Sequence, residues 1–432
     1  MTTTAPTQTP TPTPTGNGTG TGQRRQSAVG SWVAATRSAF DRPLTSYYLL
    51  LGASTLLLTI GLMMVLSASS VYSYTTFDNS YHIFLKQLMW VGLALPCAFI
   101  ASRMPPRLLR ALAWPALIFA TVLIYLTSTS LGFEANGNRN WLRLGPLTLQ
   151  PSEIAKLAVI LWCADLYARK EKVLGDWKHA LIPMVPVTGL VTYLVVDQGD
   201  LGTALVLFAI ILGMLWVVGA PARLFVGAML SVGVIALYLA STSQERVERL
   251  TNFADPFKDY QGAGWQPAHG LFAMSSGGLF GKGISASQQK WGSLPEAHTD
   301  FIFAVLGEEL GLAGTVLVLV LFLTIAYAGI RVAIRTTDPF TRYMAAGITI
   351  WLMAQMMINV GMVLALLPVI GIPLPLVSYG GSALLPSLVA LGLLISFARS
   401  EPGAHAALKA RRRRRAAGVT AGGGLSRRGK QA

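Results

Sequence analysis

The order of apolar and polar positions divides most of the chain into ten hydrophobic segments of roughly 20 residues. A helix of about 20 residues crosses the roughly 30 Å of hydrocarbon in a bilayer. Because backbone groups find no water there, each segment is predicted to be helical. The eighth is too long for one straight crossing and is expected to tilt or to project beyond the bilayer. The segments cover about 46–69, 84–102, 110–131, 152–168, 180–196, 201–219, 223–240, 301–330, 343–366 and 382–398.

The composition excludes a soluble fold. Of the 432 residues, 53% are hydrophobic and 12% are charged, about half the charged fraction of an average soluble domain. The net charge of +15 does not indicate nucleic-acid binding, which needs a soluble basic surface. Cys97 and Cys163 both lie inside apolar segments, which excludes a disulfide framework or a cysteine-based zinc site. The predicted class is an all-α integral membrane protein.

The distribution of basic residues predicts the orientation. Most of the 34 Lys and Arg residues fall in the two ends of the chain and in one alternate set of loops, and such residues favour the cytoplasmic side. Both termini are therefore expected in the cytoplasm, and the plasma membrane is the expected location of the protein. Three segments then lie outside, 132–151, 241–300 and 367–381. Segment 241–300, between the seventh and eighth spans, is the only one expected to hold substructure.

The two ends of the chain are expected to form cytoplasmic tails around a membrane domain at 46–399. Residues 1–45 begin with Thr, Pro and Gly, show no signal peptide and bury too little apolar area to fold, which predicts disorder. Residues 400–432 include the run Arg411 to Arg415. This basic tail is interpreted as solvated near anionic lipid, with docking of a cytoplasmic partner as the alternative.

Charged residues near the spans are candidates for function, because a charge at mid-membrane is costly and usually faces a cavity or a partner. Glu153 and Lys156 open the fourth span and share one helix face. They form either a structural ion pair between helices or part of a substrate cavity. Asp197 and Asp200 lie in a short outer turn, where Asp200 can cap the sixth span or contact substrate.

A third group of titratable residues precedes the eighth span. Asp300 either stabilises the first turn of that helix through the helix dipole or serves in an active site. Glu296 and His298 cluster with it at the predicted outer surface, and Glu308 lies about 12 Å deeper. Several titratable groups that converge at one outer opening favour an active site.

Three outer segments are rich in glycine, proline and amide residues. Such segments form turns between helices or present backbone N–H groups to phosphate. None of them is a P-loop, because the GKG sequence lacks the spacing and the following Ser or Thr. They add Lys282 and Ser378 as candidate substrate-binding residues. The segments are ANGNRNWLRLGPLTLQPSE, SSGGLFGKG and PLPLVSYGGSALL.

From about residue 45 to 399 the chain resembles the SEDS family (shape, elongation, division and sporulation). The resemblance implies a bacterial ten-span glycosyltransferase that polymerises lipid II into peptidoglycan. Within the family, the chain resembles the cell-division branch at Ala297 and Gly307. The elongation branch more often has Arg at the first of these positions and Ala at the second. The motifs, in the family's order, are GNRNWLRLGPLTLQPSEIAKL, DQGDLGTALVL, GGLFGKG, LPEAHTDFIFAVLGEELG and LPVIGIPLPLVSYGGSALL.

The resemblance also implies roles for individual residues. Asp300 matches the family's essential Asp, and Glu153 with Lys156 matches a polar pair near the substrate cavity. Arg139 and Trp141 match the Arg-Trp of the family's second outer loop, where Asn140 is a small departure. Asp200 matches the Asp of a Gln-Pro-Asp motif. This chain has Gly199 in place of the proline, which is expected to loosen the turn.

The implied reaction joins the 4-hydroxyl of one lipid II to C1 of a second, with undecaprenyl pyrophosphate as leaving group. Asp300 is the expected general base, or alternatively a ligand of Mg²⁺ or Mn²⁺. The cations expected to neutralise the pyrophosphate are Arg139, Lys156 and Lys282 or Lys290.

The competing hypotheses are a lipid II flippase, a non-catalytic scaffold of the division machinery, and a secondary transporter. The expected partners are lipid II, membrane lipid, a class B penicillin-binding transpeptidase and other division proteins. No nucleic-acid partner is expected, and the septum is the expected location.

Overall fold

The computed structural model describes residues 43–135, 138–145, 147–241, 255–262 and 264–404, together with residues 2 and 407. The predictions for the two tails therefore lie mostly outside the described residues. Where the second tail is described, Glu401 and Ala404 are buried. Glu401 lies 3.9 Å from Arg331, so the packed domain extends slightly beyond its predicted end at 399.

Eleven α-helices and one 3₁₀ turn, Glu171–Val173, are found in the described part of the chain. The helices are α1 Thr45–Phe77, α2 His82–Ala101, α3 Pro106–Thr127, α4 Pro151–Lys170, α5 Trp177–Asp197, α6 Leu201–Val217, α7 Ala222–Ser241, α8 Trp265–Ser276, α9 Ile302–Arg335, α10 Pro339–Val363 and α11 Gly381–Arg399.

A helix lies at each of the ten predicted apolar segments, and six are long and apolar enough to cross a membrane. These six, among the described residues, are α1, α2, α3, α9, α10 and α11. Shorter apolar stretches lie in α5, α6 and α7. α4 has 20 residues but carries Glu153, Lys156 and Asp165 on buried positions, which lowers its hydropathy. The protein is thus a multi-pass membrane protein, and the number of ten crossings stays a prediction.

Residues 132–149 contain a small antiparallel sheet, which corrects the all-α prediction. The strands are β1 Gly132–Ala135, β2 Asn138–Leu144 and β3 Leu147–Leu149, in the order β1-β2-β3. Phe133 pairs with Trp141, and Leu142 pairs with Leu149. The prediction that only segment 241–300 would hold substructure is therefore wrong. In that longer segment, the described secondary structure is α8.

Helices α4, α10 and α11 form the most buried part of the bundle. α4 contacts α3, α6, α10 and α11, so even its polar side chains lie inside protein. α11 packs on α2, and α9 packs on α1 and α10. This packing explains how α4 accommodates charged residues, because they pair within the protein and avoid lipid.

The long predicted eighth segment is broken at Gly311. Its backbone angles there are φ 68° and ψ −164°, a conformation that glycine adopts without steric cost. The glycine-rich loop before it supplies replacement backbone bonds. Leu312 N–H donates to the Gly278 carbonyl over 2.9 Å, and Lys282 N–H donates to the Glu308 carbonyl over 3.0 Å. The excess length is thus accommodated by a break that a neighbouring loop completes.

Candidate active site

A cavity of about 1730 Å³ lies between the turns before α6, α9 and α11 and the interior of the helix bundle. One end is polar and is formed by the sheet and by the turns before α6, α9 and α11. The other end is mostly apolar and runs along α5, α6 and α7, where Thr188, Thr192, Tyr193 and Ser231 add some polar groups. Polar residues of the first end include Asn138, Asn140, Trp141, Thr148, Gln150, Asp200, Gln266, Glu296, Thr299, Asp300 and Tyr379, and apolar ones of the second end include Leu181, Val185, Leu205, Phe208, Leu212, Leu224 and Val232.

Asp300 lies at the polar end of this cavity, in the turn that precedes α9. The buried Asn359 amide of α10 donates to the Asp300 carbonyl over 2.8 Å and to the Ile372 carbonyl over 2.7 Å. Gly371 has φ +71°, and a Cβ placed there would lie 3.4 Å from Asp300 Oδ2. The Asp300 backbone is therefore tied to the segment after α10, while its carboxylate faces the cavity.

The surroundings of Asp300 favour its protonated form. Burial, followed by the negative charges of Glu296 and Asp200, raises the pKa of Asp300 from 3.8 to about 7. Removal from water and neighbouring like charges both destabilise a carboxylate. A carboxyl group with a pKa near neutrality can accept or release a proton at physiological pH, as acid–base catalysis requires.

Asp200 both caps α6 and connects it to the sheet. Its Oδ1 accepts from Thr203 N–H over 2.9 Å. Its Oδ2 accepts from the amides of Asn140 and Gln150, over 3.0 and 2.9 Å, and from the Thr203 hydroxyl. The capping interpretation is confirmed, and the carboxylate also lines the cavity.

The substitution of glycine for proline at position 199 does not loosen the turn. Gly199 has φ +81°, which proline cannot adopt. Its N–H donates to the Val196 carbonyl, and the N–H of Asp200 donates to the Val195 carbonyl. This pair of bonds is a Schellman cap of α5. The turn therefore has its own defined geometry, and the expectation of a loose turn is wrong.

Two further predicted residues lie near the polar end in different ways. Glu296 lines the cavity, and its carboxylate accepts from the Thr299 hydroxyl over 2.6 Å. His298 is not among the described lining residues. Its ring stacks on Tyr72 at 5.3 Å and lies 5.7 Å from Tyr379. Burial lowers the pKa of His298, and the charge of Glu296 opposes that shift.

Glu153 and Lys156 lie outside the cavity, in the packing between α4 and α10. Lys156 Nζ is 2.8 Å from Glu153 Oε1 and 3.4 Å from Gln355 Oε1. It also lies 5.6 Å from the centre of the Trp351 ring, and both charged side chains are buried. This geometry favours the structural interpretation of the pair, which connects α4 to α10.

The sheet contributes Trp141 to the cavity but directs Arg139 elsewhere. Trp141 is partly buried, and its ring lies 6.5 Å from that of Phe133. Arg139 is exposed and donates to the Thr129 carbonyl over 2.8 Å. Of the two residues implied by the family's Arg-Trp pattern, only Trp141 is among the described lining residues.

The remaining predicted residues also hold the structure together away from the cavity. Lys282 Nζ pairs with Glu308 Oε1 at 2.8 Å, and Lys290 Nζ pairs with Glu309 Oε1 at 3.2 Å. The Ser378 hydroxyl accepts from Leu374 N–H over 2.8 Å. None of these three predicted side chains is found among the described cavity residues.

The described residues do not form a metal centre. They include no group of three or more His, Cys, Asp or Glu side chains arranged to hold a metal ion. Asp200, Glu296 and Asp300 line one cavity, but Asp200 Oδ2 already accepts three hydrogen bonds. The alternative in which Asp300 binds Mg²⁺ or Mn²⁺ stays a prediction.

Comparison with known proteins assigns the family. The profile of the FtsW/RodA/SpoVE family, described as cell cycle proteins, matches residues 47–402. The chain belongs to this family. The "Probable peptidoglycan glycosyltransferase FtsW" of Mycobacterium tuberculosis (strain ATCC 25618 / H37Rv) is 40% identical over 390 residues, which cover 90% of this chain and 73% of the relative. The family resemblance read from the motifs is confirmed.

Two solved structures share the fold of this FtsW/RodA/SpoVE protein. The crystal structure of the rod shape determining protein RodA from Thermus thermophilus has a TM-score of 0.61 and 29% identity, covering 82% of this chain and 97% of that one. A structure described as "Structural coordination of polymerization and crosslinking by a peptidoglycan synthase complex" has a TM-score of 0.66 and 28% identity. It covers 81% of this chain and 97% of that one.

Sequence reasoning missed several residues around the carboxylate of this family member. Asn359 lies inside the ninth apolar segment, where one amide among many apolar residues was the available signal. Gln150 and Tyr379 line the cavity from within two of the singled-out motifs. Their motifs indicated a functional segment, but spacing alone did not show which side chains face the cavity.

Proposed function

We propose that this chain is a peptidoglycan glycosyltransferase that polymerises lipid II for septal cell-wall synthesis. The proposal depends on the position of Asp300 at the polar end of a cavity that also has an apolar arm. In this position the pKa of Asp300 is raised to about 7. Lipid II has a polar disaccharide and a long prenyl chain, so one amphiphilic cavity suits both parts. The name of the mycobacterial relative supports the same activity.

In the proposed reaction, Asp300 takes the proton of the acceptor's 4-hydroxyl. The hydroxyl oxygen then bonds to C1 of the donor sugar, and the bond from C1 to the pyrophosphate breaks. The electron pair leaves with undecaprenyl pyrophosphate, while the proton stays on Asp300. Attack opposite the leaving group inverts the anomeric centre. A positioned base of this kind contributes about 10²–10⁴-fold in rate.

The polar residues around Asp300 are proposed to bind the sugars. Trp141 offers an aromatic face, and the Asn138 and Gln266 amides offer donors and acceptors. The expected cations Arg139, Lys156 and Lys282 lie off the described cavity. We assign none of them to the pyrophosphate, and we derive no step through a resident metal ion.

The membrane arrangement is part of the proposal. We infer ten spans with both termini in the cytoplasm and the large loop between α7 and α9 outside, since a helix occupies each apolar segment and the basic residues favour this orientation. A class B penicillin-binding transpeptidase is the proposed partner. The relative in a peptidoglycan synthase complex, described as coordinating polymerization and crosslinking, supports that partner.

The deciding experiment measures glycan strands made from purified lipid II by the protein together with its transpeptidase. Asp300→Asn should lower the rate by at least about 10²-fold, because the base is lost. Asp255→Asn, at an exposed carboxylate of the same outer loop, is the matched control and should keep normal activity. Long strands from the Asp300→Asn protein would refute the assignment, and lipid II translocation in liposomes without strand synthesis would favour a flippase.

A further inference from the structure

Residues 277–291, which join α8 to the turn before α9, expose an apolar surface that the cavity does not use. Within this segment Phe280 is 84% exposed, Trp291 71%, Leu279 64% and Ile284 58%. None of the four lines the described cavity. Large apolar side chains concentrated on one loop indicate an interaction surface.

The same segment leaves no unpaired charge at this surface. Its two charged residues are Lys282 and Lys290, and each pairs with a buried carboxylate of α9. Lys282 meets Glu308 at 2.8 Å, and Lys290 meets Glu309 at 3.2 Å. Lys290 is itself buried. Lys282 keeps 31% of its side chain accessible although its ammonium is paired, so both charges of the segment are neutralised beside the exposed apolar side chains.

Part of the backbone of the segment is also hydrogen-bonded inside the protein. The N–H groups of Lys282 and Gly283 donate to the Glu308 and Glu309 carbonyls, each over 3.0 Å. The N–H of Gln288 donates to the Glu308 carboxylate over 3.0 Å. Irregular backbone at membrane depth requires such internal partners, because lipid offers none. A loop that stayed in water would not need them.

The position of the segment matches the outer edge of the bilayer. It joins α9 at the break, where Leu312 N–H donates to the Gly278 carbonyl. On the orientation proposed above, Arg331 marks the inner side, and the helix from Arg331 to Gly311 rises about 30 Å, the thickness of the hydrocarbon. Leu312 and Leu317 of α9 are 55% and 48% exposed, so the apolar surface continues from the loop onto the helix.

We propose that segment 277–291 is a lipid anchor, with Leu279, Phe280, Ile284 and Trp291 inserted into the outer leaflet of the bilayer. Aromatic residues are enriched at that level. The occupant is lipid, because the surface is continuous with the exposed face of a candidate span. The anchor holds the loop that completes the α9 break, and α9 begins two residues after Asp300. The inference depends on the proposed orientation.

The test places a nitroxide label on the full-length protein in liposomes of phosphatidylethanolamine and phosphatidylglycerol. The two native cysteines are replaced with alanine, and the label is attached to Phe280→Cys or, separately, Ile284→Cys. Collision with oxygen reports lipid, and collision with a water-soluble nickel chelate reports water. Leu317→Cys on α9 is the lipid reference, and Lys258→Cys, at an exposed position of the outer loop, is the water reference.

The ratio of oxygen to nickel collisions at positions 280 and 284 is expected to be close to the lipid value at position 317 and well above the water value at position 258. A ratio equal to that at 258 would overturn the anchor. A second result would also overturn the anchor: a water-like ratio for the protein alone, with lower collision rates for both reagents once the transpeptidase is added. The surface would then belong to a protein partner. The collision ratio does not depend on polymerisation, so a failure of the lipid anchor can be distinguished from a failure of the proposed enzyme activity.

Discussion

Asp300 combines two properties that are difficult to unite in one carboxyl group, access to a cavity and a poorly solvated environment. Asp300 lines the cavity in which the substrate is proposed to bind, while burial and the charges of Glu296 and Asp200 raise its pKa to about 7. Asn359 fixes the backbone beneath it. A base with a pKa near the working pH transfers protons most effectively.

The raised pKa predicts how the polymerisation rate depends on pH. The ionised form of Asp300 is the proposed base, so the rate should rise with pH and reach half its maximum near pH 7. Glu296→Gln removes one of the negative charges that raise the pKa, and the midpoint should therefore move to lower pH. The measurement is kcat for strand synthesis between pH 5 and pH 9. An unchanged midpoint in the Glu296→Gln protein would contradict this account.

The contribution of Asp300 to the stability of the fold should decrease as the pH rises, whereas the polymerisation rate increases. The pKa of Asp300 is higher in the folded protein than its ordinary value of 3.8, so the folded state retains this proton to higher pH than the unfolded state. Its contribution to stability is lost as the pH rises from about 4 to about 7. The Asp300→Asn protein should consequently gain in Tm relative to the unmodified protein between pH 5 and pH 8, while the Asp255→Asn control should not.

At this scale, the sequence identified residue types better than side-chain directions. Capping by Asp200 followed from its place before an apolar run, since that relation is local. Whether Glu153 and Lys156 face substrate or α10 depends on how helices pack, and local spacing does not contain that information. The same limit applies to His298, which lies two residues from Asp300 yet stacks on Tyr72 and contacts the tilted ring of Tyr379.

At the scale of elements, the apolar pattern located ten helices because each is long relative to the helical period. It did not predict the sheet at 132–149, where strands as short as three residues carry little periodic signal. Nor did it predict the break in α9. Gly311 was visible in the sequence, but its role depends on a loop more than 25 residues earlier that supplies the missing backbone bonds.

The break in α9 predicts a position-specific sensitivity to alanine. Gly311 has φ +68°, and a Cβ there would collide with the backbone of Gly281 and Leu279. Gly311→Ala should lower the free energy of unfolding by about 2–4 kcal/mol, from backbone strain and overpacking together. Gly278→Ala isolates the strain, because its φ is +56° with nothing within 4 Å, and should lose only about 1 kcal/mol.

Thermal unfolding in detergent compares the two variants. Equal stability of the Gly311→Ala and Gly278→Ala proteins would show that the close contact between the loop and α9 does not contribute. It would also remove the structural reason for the paired backbone bonds between the two segments.

At the scale of the whole molecule, one cavity combines a polar end with an apolar arm. Its polar end lies among the turns before α6, α9 and α11, and its apolar arm follows α5 and α6 toward their opposite ends. A substrate with a sugar head and a prenyl tail can therefore react without removal of its tail from apolar surroundings. The tail is expected to contribute to affinity through the arm, and the head to chemistry at Asp300.

Filling the apolar arm should therefore separate binding from catalysis. Gly189 of α5 lines the arm, and a Cβ there meets nothing within 4 Å, so Gly189→Trp should fit the fold while its ring occupies the space proposed for the tail. The kcat/KM for undecaprenyl lipid II should fall about tenfold, equivalent to about 1.4 kcal/mol of binding, mainly through KM. A lipid II analogue with a short prenyl chain should be affected less.

The control is Gly52→Trp, on the exposed side of α1, where a Cβ also meets nothing within 4 Å. It should leave kcat/KM for both substrates unchanged. Equal loss with long and short chains would show that the arm does not hold the tail, because a tail bound there is the only part of the substrate that the new ring would displace.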